Sequence, residues 1–340
     1  MVKTSIYGLN KRDLINWFIE HNDKKFRATQ AWDWLYIKRV ASFAEMTNLS
    51  KATIALLDEN FDFSTLRTVS VQESQDGEVA KYLFQLADEF MIETVVQHHD
   101  YGLSVGVTTQ TGYASDMANE QRNLTAGEIV AQVVQIQRQL DEQAKGERVS
   151  HIVVAGIGEP FDNFANVMKF LTIVNDQTGL EIGARHMTVS TNGVASKIRD
   201  FANRDMQVNL AISLQAPNDE LRNKIVQMNH TWNLEQLFDA VHYYLVKTNR
   251  RITFEYTLLN GVNDHTEEAL QLAGLFQDIQ HLAYVNLIPY SPATEHDQYT
   301  RSPKKHVTAF ADTLKKQGIN VQIRREAGTN FDQPHTVEKK

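Results

Sequence analysis

VGVTTQTGYASDMANEQRNL, residues 105–124, is the stretch whose reading decides the fold. Val105, Val107, Thr108 and Thr109 form a β-branched run that reads as a strand. Gly112 breaks it, and a polar loop follows. Thr125 and Glu128 then make a T-x-x-E capping box ahead of an apolar-periodic segment. Strand, loop at the strand's C-terminal end, capped helix: an α/β barrel opens this way and places its chemistry on such loops.

Working outward, apolar runs recur at 151–156, 187–191, 208–214, 252–259 and 284–288. Helix-period segments at 126–145, 163–175, 194–203, 233–247 and 265–279 separate them, and a helix at 304–317 leads to a strand at 320–324. These units exceed a minimal doubly wound sheet and fall short of eight, so the pattern predicts an α/β fold with an open six-stranded parallel (β/α)6 barrel over 101–325. Before it, 66–100 alternates in the two-residue period of strands (Val69, Val71; Tyr82, Phe84, Leu86; Met91, Glu93, Val95) with turns at Gln75-Asp76-Gly77 and Ala87-Asp88-Glu89. That is a short antiparallel sheet, and Glu93 in it either faces water or points into a site. Residues 1–65 read as a helical unit: Asn10 caps a helix through Leu14 and Phe18, Ala28 to Val40 supplies a second, and Asn48 or Ser50 caps a third. Residues 326–340 form a polar tail.

Composition narrows the chemistry. None of the 340 residues is cysteine, which excludes disulfides, thiolate zinc sites, cysteine nucleophiles and cysteine-ligated iron–sulfur clusters. The histidines show no H-E-x-x-H pair, and adjacent His98 and His99 would point to opposite faces of a strand, so no metal site is expected. No apolar run approaches the roughly 18 residues of a membrane span, and the first residues lack an apolar signal core; a cytoplasmic monomer with no membrane partner is expected. The net charge is −8, yet basic clusters gather at both ends (Lys24-Lys25-Arg27, Lys38-Arg39; Lys304-Lys305, Arg324-Arg325) around an acidic middle, compatible with solvated surface or with a located anionic partner.

The strand ends carry Gly156-Ile157-Gly158-Glu159-Pro160, Ser190-Thr191-Asn192-Gly193, Ser213-Leu214-Gln215-Ala216-Pro217, Leu259-Asn260-Gly261-Val262-Asn263-Asp264 and Pro289-Tyr290-Ser291-Pro292. Singly each is a strand-to-helix turn. Together on one rim they suit a zwitterionic, ribose-bearing ligand. Their order, closing on Ile323-Arg324-Arg325-Glu326-Ala327-Gly328, resembles the radical S-adenosylmethionine (SAM) enzymes that methylate adenine C2 in ribosomal and transfer RNA (RlmN/Cfr-like), as do Phe26-Arg27-Ala28 through Trp34-Leu35-Tyr36 and Arg122-Asn123-Leu124-Thr125.

The resemblance implies SAM contacts at Gly158, Glu159, Ser190, Ser213, Leu214, Gln215 and Ser291, with Gln215 and Ser291 departing from the family's His and Asn. It aligns Glu93 with the family's proton acceptor. The family's cluster-binding cysteine triplet falls on Tyr113, Met117 and Glu120 in a shortened loop, its resolving cysteine on Gly106 and its methyl-carrying cysteine near His335. Thiolates hold the low-potential cluster, and a sulfur nucleophile carries the methyl group; phenol, thioether, carboxylate, imidazole and hydrogen replace neither. The expectation is therefore a protein that binds structured RNA (ribosomal RNA, a ribosomal particle or tRNA) without radical chemistry, without a [4Fe–4S] cluster and with SAM binding weak or lost. A cluster-independent RNA methyltransferase and a SAM sensor or protein scaffold are the alternatives.

Overall fold

The computed structural model describes residues 3–64, 66–112, 121–143, 146–291, 298–325 and 335–336. The chain divides into two compact units, 1–187 with 328–340, and 188–327.

In the first unit, short strands β1 (Thr4–Ser5) and β2 (Phe61–Asp62) pair in parallel and bracket three helices, α1 (Lys11–Glu20), α2 (Lys25–Tyr36) and α3 (Lys51–Asn60). Asn10 caps α1 by accepting from the Asp13 amide at 2.8 Å, and Ser50, rather than Asn48, caps α3. Helix α2 begins three residues ahead of the predicted start, because no cap signal marks that end: Lys24 precedes it with no side-chain hydrogen bond.

Strands β3 (Arg67–Glu73), β4 (Val79–Gln85), β5 (Met91–His99) and β6 (Gly102–Val107) then run antiparallel in sequence order. Alternation in β5 buries Ile92, Thr94 and Val96 and leaves Glu93 exposed on the opposite face. After β6 comes α4 (Ala126–Glu142), whose capping box forms as the sequence predicts, and β7 (Val149–Val154) lies parallel to β6. Helix α5 (Phe164–Val174) follows. The core here comprises Val105, Val107, Ile129, Val133, Ile152 and Val154, all fully buried, each contributing roughly 1.5–3 kcal/mol by its removal from water.

The second unit repeats the strand–helix alternation. Strand β8 (Met187–Thr191) straddles the boundary; α6 (Ala195–Ala202), β9 (Asn209–Ser213), α7 (Asp219–Ile225), α8 (Leu234–Thr248), β10 (Ile252–Leu258), α9 (Thr266–Leu275), β11 (Ala283–Pro289), α10 (Lys304–Lys316) and β12 (Asn320–Ile323) follow. Its strands pair in parallel in the order β12-β11-β10-β9-β8. Leu210, Ile212, Phe254 and Tyr256 alternate into the core, where Phe254 meets Phe238 of α8 and Phe276, and Tyr256 meets Phe310 of α10. The parallel-rich α/β architecture is the one expected, with strand bounds within a few residues of those read from the sequence. Helix α7 is additional: Asn218 caps it within the stretch read as a turn. The last strand, β13 (His335–Thr336), adds antiparallel to β3 in the first unit.

Candidate functional site

In the first unit the end of β6 is clamped by a buried amide. Gln132 of α4 accepts from the Thr108 amide (3.0 Å) and the Thr94 hydroxyl (2.9 Å) and donates to the Thr108 carbonyl (2.9 Å). Thr108 Oγ1 in turn donates to the Glu93 carbonyl at 2.6 Å. Beyond it Thr111 and Arg122 exchange hydrogen bonds across the neck of the loop: the Thr111 amide donates to the Arg122 carbonyl, and the Arg122 amide to Thr111 Oγ1. Arg122 reaches back to both Glu128 oxygens (3.0 and 2.7 Å) and to Asp88 (2.6 Å). Burial alone would raise the Glu128 pKa, but the hydrogen bonds from Arg122 and the Thr125 amide hold it below the ordinary carboxylate range. Tyr113, Met117 and Glu120 lie outside the described residues.

The Gly156–Pro160 turn closes on this strand end. A Cβ at Gly156 would sit 2.7 Å from Thr108 Cα, and one at Gly158 (φ +94°) 2.6 Å from Gln110 Cβ. Gln110 accepts from the Glu159 amide at 3.1 Å. Glu159 is 6% exposed and accepts from the Phe161 amide at 3.0 Å, capping the short turn Pro160–Asn163. These glycines permit one strand end to pack against the next.

Glu93 is exposed, and β5–β6 pairing sets Val95 opposite Gly106, so Glu93 and Gly106 share a face. A Cβ at Gly106 would meet only ordinary contacts, 3.6–4.0 Å from Val95 and Val153. The backbone of His335 pairs with Val71 on β3, and the order β13-β3-β4-β5-β6 puts four strand spacings, about 19 Å, between its strand and that of Gly106.

In the second unit the turns after β8, β9, β10 and β11 line a pocket of about 480 Å3, within the range of small-ligand sites. Asn192, Gln215 and Thr257 contribute polar groups; Met228, Tyr290 and Tyr299 contribute walls. Gln215 has a left-handed backbone (φ +65°), and its Oε1 accepts from the Thr257 amide at 2.6 Å. The polar face beneath is organised by Glu255, whose Oε2 accepts from Ser190 (2.8 Å) and Ser213 (3.4 Å). Leu214 is buried, and its carbonyl accepts from Arg222 Nε at 3.0 Å. Ser291 is exposed, just past Tyr290.

Arg222 and Glu255 carry no signal in the sequence, and the Asn263-Asp264 pair enters there only as part of a strand-to-helix turn. Asn263 is fully buried and ties the Leu259 amide to the carbonyls of Gln215 and Thr257. The Asp264 carboxylate has no exposed surface and meets His306 Nδ1 at 3.0 Å and the Gly261 amide at 2.8 Å. Burial opposes its ionisation, yet these hydrogen bonds hold its pKa below the ordinary carboxylate value. A folded-state pKa below the unfolded one gives stability that is present above about pH 4 and lost as pH falls through the folded pKa. Asp264→Asn is expected to lose about 1–3 kcal/mol in urea unfolding at pH 7, with the gap to the parent chain narrowing near pH 3. A gap that stays constant across that range would contradict the assignment.

Comparison with known proteins places these features. Residues 4–62 match the ribosomal RNA large subunit methyltransferase N-terminal domain, and 117–273 the radical SAM superfamily. The chain is 60% identical over 338 residues to a Streptococcus mutans protein named "Probable dual-specificity RNA methyltransferase RlmN", covering 97% of this chain and 93% of that one. The protein of the same name from Enterococcus faecalis is 57% identical, with 98% and 95% covered. A radical SAM methyltransferase from Sphaerobacter thermophilus superposes with a TM-score of 0.87 at 35% identity, covering 94% of this chain and 95% of that one. The sequence, without a cysteine, supplies no thiolate for the iron–sulfur cluster implied by that superfamily, and among the described residues no group of three or more His, Asp or Glu is placed to hold a metal. The donor set does not fit the cluster. By descent and by fold, the chain belongs to the RlmN family of the radical SAM superfamily.

Proposed function

We propose that this chain is an RNA-binding member of the RlmN family that no longer performs radical methyl transfer. The observation that carries the reading is the loss of every sulfur nucleophile: cluster, resolving and methyl-carrying positions hold Tyr113, Met117, Glu120, Gly106 and His335. One-electron cleavage of a sulfonium requires a low-potential cluster, and oxygen and imidazole donors do not hold it at such a potential. The absence of a side chain at Gly106 is not imposed by space, since a Cβ fits there. Among the described residues, the first unit forms the loop neck at Thr111 and Arg122 and the Gln132 clamp, and the second unit forms a pocket of its own. A family fold formed without the thiols of its chemistry supports a binding role.

The partner is structured RNA in the cytoplasm, ribosomal RNA, a ribosomal particle or tRNA, engaged through the basic clusters of the N-terminal helical region, Lys24-Lys25-Arg27 and Lys38-Arg39. Lys38 lies 3.5 Å from the Trp34 ring, and Phe26 is 54% exposed beside Lys24, a basic and aromatic surface suited to RNA.

Two measurements test the proposal on the full chain. Anaerobic purification followed by iron and sulfide reconstitution is expected to leave a colourless protein with no substoichiometric cluster absorbance. Binding to ribosomal RNA fragments and tRNA is expected to weaken with salt along a log–log slope of roughly −3 or steeper, and to exceed binding to an unstructured polyanion. A brown protein that methylates an adenine carbon would overturn the loss of radical chemistry. Methyl transfer from SAM by the colourless protein would establish the cluster-independent alternative instead.

A further inference from the structure

We propose that the rings of His99, Tyr101, His151 and His186 form a pH-sensitive latch at the N-terminal ends of β6 and β7. The latch is closed while its imidazoles are neutral and loosens when more than one of them takes up a proton.

Strand pairing in the first unit brings these residues together from distant parts of the sequence. His99 ends β5 and stands opposite Gly102 across the turn into β6, while Ser104 of β6 stands opposite His151 of β7. His186 closes the short turn Ala184–His186 ahead of β8. The rings touch in series. Tyr101 stacks on His99 at 4.6 Å and meets His151 edge-to-face at 4.9 Å, and His151 stacks on His186 at 4.5 Å with 19° between the planes. Gly102 allows this approach: its φ is +131°, and a Cβ there would strike Ser150 Oγ.

The hydroxyls decide which nitrogen titrates. Ser150 has one hydroxyl proton and donates it to the Leu103 carbonyl at 3.0 Å, so its oxygen accepts from His151 Nδ1 at 2.9 Å. Neutral His151 therefore keeps its proton on Nδ1, and a second proton must go to Nε2. His99 Nε2 is held by the buried Ser104 hydroxyl at 3.1 Å. Burial disfavours the charged form of His151 first, and the His186 and His99 imidazoles add repulsion, so its pKa lies below the ordinary histidine value.

The other charges of the surrounding elements do not offset this. On β5, His98 turns to the opposite side of the strand from His99, toward Glu147 at 3.8 Å, and Asp100 beyond the strand end is exposed. Strands β6 and β8 carry no titratable side chain. Ahead of β7, Arg148 donates to the Leu180 carbonyl, and Arg185 beside His186 is a further exposed cation. An opened segment accepts the protons that the closed stack refuses. Stability held above about pH 6.5 is therefore lost as pH falls through that value. One imidazole wholly denied its proton accounts for about a tenfold change in the opening equilibrium between pH 7.5 and pH 5.5.

Hydrogen exchange on the full chain, corrected for the intrinsic rate at each pH, reads the latch. Protection of β6 and β7 is expected to fall about five- to tenfold between pH 7.5 and pH 5.5, while that of β10 and β11 in the second unit changes by less than about twofold. His151→Phe keeps a ring in the stack but removes the titrating nitrogen, and is expected to abolish the difference. His186→Phe, at an exposed position, removes the repelling neighbour. It is expected to move the His151 titration, read from the ring-proton resonance, up toward the ordinary value. Equal protection of β6 and β7 at the two pH values, an equal fall in β10 and β11, an undiminished fall in His151→Phe, or a His151 titration that His186→Phe leaves unmoved would each overturn the proposal.

Discussion

An Arg222→Leu variant is expected to lose about 3–5 kcal/mol of stability, the penalty of removing a buried charged partner and stranding what it satisfied. Arg222 has no exposed surface. Its guanidinium donates from Nε to the Leu214 carbonyl (3.0 Å), from Nη1 to Asn229 Oδ1 (2.7 Å) and from Nη2 to the Asn192 carbonyl (2.6 Å). Desolvation pulls its pKa down to about 10, with Asp219 partly opposing the shift, so it stays protonated at neutral pH. Asp219 acts through Asn229, which donates to Asp219 Oδ1 at 2.9 Å, and the same oxygen accepts from the Leu234 amide at the start of α8. One side chain thus joins the ends of β8 and β9 to the helices that follow. Leucine matches much of the aliphatic volume but leaves carbonyls without donors in a dry site. Lysine offers a point charge in place of a planar fork and is expected to recover less than half of the loss. Urea unfolding at 25 °C of the parent, Arg222→Leu and Arg222→Lys chains measures both, and a loss below about 1 kcal/mol for leucine would show that the network relaxes around the gap.

The residues that were legible in the sequence are those whose signal is local. The period of two in β3 to β5, the Thr125–Glu128 box and the Asn10 and Ser50 caps all form, because each depends on neighbours within one turn or one strand. Helix α7 was missed since it has seven residues, too few for periodicity, and lies among Pro217, Asn218 and Asp219, which read as a turn. The left-handed backbone of Gln215 was equally hidden, as glutamine carries no preference for it. Arg222 and Glu255 carry no local signal, one lying in a short helix without a readable period and one on the less apolar face of an alternating strand. Their importance comes from partners 30 and 65 residues away in sequence, Asn192 and Ser190. The pairing of β13 with β3 was hidden as well, since the polar tail around His335 carries no strand period.

Gly156→Ala tests the most direct disagreement between motif and geometry, and is expected to destabilise the protein by about 3 kcal/mol, the upper end of overpacking costs. Read as part of a G-x-G turn, Gly156 is a ligand-approach glycine, and alanine there should impair binding while leaving unfolding unchanged. The structure gives it another task. The Gly156 amide donates to the Val107 carbonyl at 3.1 Å, and an added Cβ would lie 2.7 Å from Thr108 Cα and 2.9 Å from Thr108 N, besides striking Thr108 Oγ1. A clash with the tip of a flexible side chain is relieved by rotation, but this one is with backbone. That backbone cannot readily retreat, because Gln132 holds both the amide and the carbonyl of Thr108 while Thr108 Oγ1 is tied to the Glu93 carbonyl. The methyl group must therefore break either the β6 end or the turn itself. Ile157→Ala, one residue on and 37% exposed, serves as the control, with an expected loss under about 1 kcal/mol. Urea unfolding of both variants separates the two roles: an unchanged midpoint in Gly156→Ala would return this glycine to ligand approach, while a large shift fixes it as the contact that lets two neighbouring strand ends meet.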